Sequence, residues 1–196
     1  KSVKRKIPDA LVYEIMDGKP YYRKGYKSVL NRTKQMEDIM GASTLQSVIV
    51  FYLQRILFDA YPEDAYWILT NEAGLHIGKG NNLAGDIFVF DTKTLPAAKI
   101  GKHYANVPPL LAIEIDVRID LEKESDIRYV NRKIRKLLDF GVEKVIWILT
   151  ETQQVIVAER NAAAGQFMDW NEAVEIRPDL TFNIGEYLKK RGIDLE

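Results

Sequence analysis

Gly85-Asp86-Ile87-Phe88-Val89-Phe90-Asp91 and Leu110-Leu111-Ala112-Ile113-Glu114-Ile115-Asp116-Val117-Arg118 are the two segments around which the chain is organised. Both have the β-branched and aromatic content of strands. Side chains alternate between the faces of a strand, so Asp86 shares a face with Phe88 and Phe90, and Asp91 falls opposite. In the second segment Leu111, Ile113, Ile115 and Val117 form one face; Glu114 and Asp116 sit together on the other, beside Leu110 and Ala112. Apolar residues on both faces of its first half are the pattern of a central strand. An unpaired carboxylate held there is costly, and a hard divalent cation would satisfy it.

The following segment reads as a helix. Ser125 is placed as its N-cap and Asp126 at the positive end of its dipole. Ile127, Val130, Ile134, Leu137 and Leu138 repeat at helical spacing up to Gly141. At about 100° per residue, Lys133 lies roughly 80° from the centre of that stripe, and Arg128, Arg132, Arg135 and Lys136 lie roughly 120° or more away. Of these, Lys133 alone leans toward a sheet. A lysine at the edge of an apolar stripe packs mainly through its stem, so its removal is expected to leave the fold nearly intact.

An acid on one strand, an acid on the next and a lysine near both resemble the phosphodiesterase site of the PD-(D/E)XK nuclease superfamily. More closely, the chain resembles the Uma-type family of candidate restriction endonucleases of bacteria. The resemblance rests on Tyr13-Glu14 with Gly18, a long apolar helix from about Gln46, Asp86, Leu111-Ala112-Ile113-Glu114-Ile115, Lys133 followed by Gly141-Val142, and Val145-Ile146-Trp147-Ile148-Leu149. In that family the lysine has moved from the strand onto the following helix, and Lys133 stands at the matching distance before the Gly-Val pair. The chain departs from the family at Gly85, where proline is usual, at Gln46, where histidine is usual, and at Asp116, where a neutral residue is usual.

The resemblance implies an α/β fold of the restriction-endonuclease type, with a mixed central β-sheet flanked by helices, as a single domain over residues 1–196. It implies a Mg2+-dependent DNA endonuclease, with Mn2+ as a substitute, working as a two-fold homodimer. Asp86, Glu114 and Lys133 would be its catalytic set. Asp86, Glu114 and the Ile115 carbonyl would ligate the metal, and Asp116 would either hold a second ion or pair with Lys133. Lys133 would orient or deprotonate the attacking water. Gln46, Arg118, Arg132 and Lys136 would face the DNA. The rival class is a catalytically inactive nuclease-fold protein that binds DNA or another protein, its acids kept as structural ion pairs with arginines such as Arg118.

Composition narrows the alternatives. A chain of 196 residues, 46% hydrophobic, is enough for one full-sized core. No cysteine is present, which rules out disulfides, thiolate metal sites and cysteine nucleophiles and suits a cytoplasmic protein. No run reaches the length of a membrane helix, and the basic start, expected to be flexible over residues 1–10, lacks a signal peptide's apolar stretch. Lys and Arg number 28 against 28 Asp and Glu, so no global field draws the chain to DNA. Local patches must do so: Lys19 to Lys34 is basic and carries Tyr21, Tyr22 and Tyr26.

Elsewhere, residues 11–22 read as an extended pair turning at Asp17-Gly18, and 44–60 as an amphipathic helix capped by Ser43 or Thr44 and stopped by Tyr61-Pro62. Strands are expected at 65–69, 74–79, 145–149, 154–158 and 167–170, with a closing helix at 182–191 capped by Asn183. Gly78-Lys79-Gly80 lacks the third glycine of a dinucleotide fingerprint and reads as a loop running into Asp86; residues 92–109 read as a connector carrying His103. His76 and His103 are too isolated for a zinc site, and Ser43, Ser47 and Ser125 lie in no nucleophile elbow.

Overall fold

A computed structural model describes residues 7–121 and 124–195; of the basic start, residues 1–6 lie outside the described residues, and Asp9–Leu11 form a 3-10 turn. Asp17 and Gly18 both take positive φ, and this tight reversal joins β1 (Val12–Met16) to β2 (Lys19–Tyr22), as the Asp-Gly pair predicts. Two short helices that the sequence pattern does not reveal, α1 (Tyr26–Leu30) and α2 (Glu37–Met40), follow in the basic stretch. The long α3 (Thr44–Ala60) begins where expected, with the Ser43 hydroxyl accepting the Gln46 N–H.

Next come β3 (Tyr66–Leu69), β4 (Ala73–Gly78), β5 (Asn81–Gly85) and β6 (Ile87–Asp91). The segment after Gly80 is thus a strand, not a loop: polar Asn81 and Asn82 hide its β character, and pairing with β1 and β4 on its two sides imposes it. β7 (Leu111–Ile115), α4 (Asp126–Phe140) and β8 (Lys144–Leu149) form a parallel crossover unit, and β9 (Gln154–Glu159) and β10 (Gln166–Asp169) add antiparallel strands by short turns. A further hairpin, β11 (Val174–Arg177) and β12 (Leu180–Phe182), escapes the sequence pattern, and α5 (Ile184–Lys190) closes the chain with the Asn183 side chain accepting the Glu186 N–H. None of the described helices is long and apolar enough to cross a membrane.

The strands form a four-stranded sheet in the order β2-β1-β5-β4 and a six-stranded sheet in the order β10-β9-β8-β7-β6-β3. The result is a mixed α/β architecture with helices on the sheet faces, as the sequence implies. β7 lies inside the larger sheet and is buried on both sides. Leu111, Ile113 and Ile115 pack with Ile49, Leu53 and Leu57 of α3; on the other face Ala112 joins Tyr129, Val130, Ile134 and Leu137 of α4, with Met16 and Leu83 of the smaller sheet.

Two strand readings are corrected. Asp86 is not inside a strand: it is the single residue between β5 and β6, where the chain leaves one sheet for the other. Asp116 lies just beyond β7 with φ 61°, which breaks the alternation there; Val117 therefore packs on the α4 side instead of with Ile115. Gly85, which stands where proline was the expected neighbour of the acid, is fixed by packing. A Cβ there would lie 2.2 Å from Cζ of the fully buried Phe88 ring. Gly85→Ala should therefore lower stability by about 1–3 kcal/mol, read as a lower urea midpoint; an unchanged midpoint would mean that the ring can give way.

Candidate active site

Backbone geometry brings the two acids together at the end of β7. The Asp86 Oδ2 accepts the Ile115 N–H at 2.7 Å, which ties the sheet-to-sheet junction to the residue after Glu114. Glu114 points to the α4 side of the sheet, where Lys133 reaches it: Nζ lies 3.0 Å from Glu114 Oε1. The same Nζ lies 2.9 Å from Glu14 Oε2 on β1 and donates to the Ala84 carbonyl at 2.7 Å. Tyr129, one turn earlier on α4, donates its hydroxyl to Glu14 Oε1 at 2.5 Å. Of the three N–H groups of the ammonium one is hydrogen-bonded to Ala84, and the two carboxyl groups meet the cation as close ion pairs. With Lys133 1% exposed, Glu14 3% and Glu114 3%, the set is closed to water.

Burial dominates the electrostatics. It pushes the Glu114 carboxyl up to about 8, although Lys133 pulls the other way. Burial works to lower Lys133, but Glu114 and Glu14 outweigh it and hold the ammonium well above the ordinary lysine range. Asp86 is also raised by burial, against the Ile115 N–H and Arg118. The set is therefore a fixed cation between two buried carboxyl groups.

Around Asp86 the charges are nearer solvent. Arg118 Nη1 lies 3.6 Å from Asp86 Oδ1 and 3.2 Å from Glu72 Oε1; Glu72 accepts a bidentate pair from Arg23 at 3.0 and 2.8 Å. Asn71 and Glu72 both take positive φ in the turn before β4, which presents Glu72 to the two arginines. The Tyr13 ring faces the cations of Arg23, Arg118 and Lys133, with centroid distances of 5.2, 5.9 and 5.9 Å. Asp86, Glu72, Gln46 and Arg118 line a cavity of about 470 Å³, and Arg23, Gln46 and Arg118 also line a larger one of about 800 Å³.

The other expected site residues fall elsewhere. Asp116 does not turn to Lys133: its two oxygens accept the Thr150 N–H at 2.7 Å and the Thr150 hydroxyl at 2.9 Å, which fastens the ends of β7 and β8 together. Gln46 is buried and donates to the Ile115 carbonyl at 3.0 Å, so it braces the strand end. Arg132 bonds the Tyr21 hydroxyl and Glu124, and Lys136 pairs with Asp17 at 2.5 Å; both hold the β1–β2 hairpin, and neither lines those two cavities. Among the described residues no group of three or more His, Asp or Glu side chains is arranged to hold a metal ion, so Asp86 and Glu114 form a pair rather than part of a larger acid cluster, and Asp116 is not joined to them.

Glu14, Tyr129, Glu72 and Arg23 belong to the site without having been singled out for it. Glu14 was legible: it alternates with buried Met16 on β1, so a carboxylate stood on an inward face. Glu72 lies in a turn, where no periodicity could mark it.

Compared with solved structures, the chain is similar to the crystal structure of a candidate nuclease belonging to DUF820 from Anabaena variabilis, with a TM-score of 0.63 and 17% sequence identity over 90% of this chain and 89% of that one. At such identity what is shared is the fold, and it is shared over nearly the full length of both chains. No family model matches the sequence, and neither does any curated protein.

Proposed function

We propose that the protein is a divalent-metal-dependent DNA endonuclease. The observation that carries this reading is the convergence of Asp86, at the junction of the two sheets, with Glu114 at the end of the central strand β7, with Lys133 at 3.0 Å from Glu114 and with Arg118 and Asp86 lining the same cavity. The fold, shared with a candidate nuclease, is consistent with it.

The ion we assign to this pair of acids is Mg2+, or Mn2+ in its place. Asp86, Glu114 and the Ile115 carbonyl are hard oxygen ligands, and the two carboxyls are both held protonated more readily than usual, a state that a dication reverses. Gln46 uses one lone pair of the Ile115 carbonyl and leaves the other. Bound there, the ion supplies Lewis acidity to a phosphate oxygen and acidifies a water.

The chain's own residues divide the remaining work. Arg118, beside Asp86 and facing the cavities, binds the scissile phosphate and offsets charge that grows on it. Lys133, buried, ion-paired to two carboxyl groups and held protonated, does not deprotonate water. It is a positioning residue that fixes Glu114, which revises the role expected of it. A cut in both strands would come from two copies related by a two-fold axis.

The test is a titration with Mg2+ and Mn2+ over a panel of supercoiled, linear and single-stranded DNA. Cleavage should require the metal and fall by about a hundredfold or more in Asp86→Asn. A folded wild-type protein that cuts nothing in the panel at millimolar metal would sink the proposal. The same panel would then favour the second reading, a non-catalytic nucleic-acid-binding module, which draws support from the closed Glu14–Lys133–Glu114 set.

A further inference from the structure

The two acids are 7% and 3% exposed, too little to meet a substrate except through a cavity, and the larger cavity shares Arg23, Gln46 and Arg118 with the one that Asp86 lines. One wall is built from residues 24–41, including Lys24, Lys34 and Ile39; the facing wall comes from the first turn of α4 and the segments after β8. The cavity thus sits at the carboxyl ends of the parallel strands β7 and β8, the place where open α/β sheets accept ligands. Its volume of about 800 Å³ lies within the range of pockets that enclose a small organic molecule, and a nucleotide is of that class.

Its lining is divided by chemistry. Arg23 and Arg118 line both cavities and so stand where the larger one adjoins the Asp86 side. Farther along the chain, Ile127, Leu149 and Phe167 supply apolar surface, and Asp126, Thr150 and Glu151 supply acceptors. The remaining lining acids are engaged: Asp38 accepts the Gln35 N–H, and Asp116 accepts from Thr150. A cavity that combines two arginines with an apolar set and free hydrogen-bond acceptors suits a nucleotide taken out of a base stack.

We infer that the substrate is single-stranded or locally unpaired DNA. One nucleotide enters the larger cavity, with its phosphate at Arg23 and Arg118 and its base against Ile127, Leu149 and Phe167. The inference rests on the nuclease reading for the choice of nucleic acid, and it adds the strandedness. Phe167 is 56% exposed on the edge strand β10, an arrangement that leaves the ring free to stack on a base.

The experiment is fluorescence anisotropy of the intact protein in EDTA, with a fluorescein-labelled strand of about twelve nucleotides, free or annealed into a blunt duplex, at one fixed salt concentration. The single strand should bind roughly tenfold more tightly than the duplex. Phe167→Ala should weaken single-strand binding by about fivefold to a hundredfold, the scale of losing one stacked base, and leave duplex binding unchanged. Phe58→Ala, removing a ring that is 59% exposed on α3 outside this cavity, should change neither. Equal or tighter binding of the duplex, binding of neither, or indifference to Phe167→Ala would overturn the inference. Because no metal or turnover is involved, a protein that prefers single strands yet never cuts refutes only the endonuclease reading; metal-dependent cutting with duplex preference refutes only this one.

Discussion

Lys133→Ala should destabilise the protein by about 3–5 kcal/mol, the scale on which one partner of a buried ion pair is missed, because it leaves Glu14 and Glu114 without their cation in a space closed to water. In a chain of this length that is roughly a 10 °C fall in melting temperature. It replaces the expectation that a stripe-edge lysine could be removed at little cost: the stripe places Lys133 correctly at the sheet, but what it meets there is two carboxyl groups. Lys136→Ala is the control, because its partner Asp17 is half exposed and such pairs contribute less than about 1 kcal/mol. Pairing Lys133→Met with Glu14→Gln and Glu114→Gln should recover much of the loss, since removing all the charges leaves none unpaired. A urea midpoint for Lys133→Ala equal to that of Lys136→Ala would show that the three groups do not form a closed set.

Glu114→Gln should separate stability from activity. Glu114 has its folded pKa raised, from an ordinary 4.5 to about 8. An acid shifted in that direction contributes stability that is fully present below its unfolded pKa and is lost as pH rises through the folded value. Wild-type stability should therefore carry a declining component between about pH 5 and pH 8, and Gln, an isostere of the protonated acid, should remove that component. The difference between the two stability curves isolates Glu114 from the other carboxylates. Cleavage should meanwhile fall by about a hundredfold or more, because an amide is a poor substitute for a carboxylate at a hard cation. A variant that loses stability as steeply with pH as wild type would place the titration elsewhere; one that cuts at the wild-type rate would remove Glu114 from the metal.

The fold was legible where burial and periodicity agree. Both faces of β7 are apolar in the sequence and buried in the protein, and Ser43, Asn183 and Asp17-Gly18 do what cap and turn chemistry requires of them. β5 was hidden because polar Asn81 and Asn82 are held in a strand by pairing with β4 just before them and with β1 far off in sequence, and β11–β12 because its segments are short. Within the candidate site, alternation and helical phase put Glu114 and Lys133 on facing surfaces, whereas Asp86, read as part of a strand, is the junction between two sheets. Asp116 could not be placed, because one residue at positive φ ends the alternation that put it beside Glu114. Nor could the partners of Lys133: helical phase says which way a side chain points, not which strand of another sheet waits there.

That second sheet also sets the order in which the site can assemble. β7, α4, β8, β9 and β10 pair with sequence neighbours, so Glu114 and Lys133 can meet early in folding at small loop-closure cost. Glu14 arrives on β1, whose bridge to β5 joins Ile15 to Asn82 and closes a far longer loop. Until that loop closes, Lys133 lacks one of its acids and the Tyr129 hydroxyl lacks its acceptor. Slow closure would appear as a late kinetic phase, in which the burial of Tyr129 trails the formation of the six-stranded sheet.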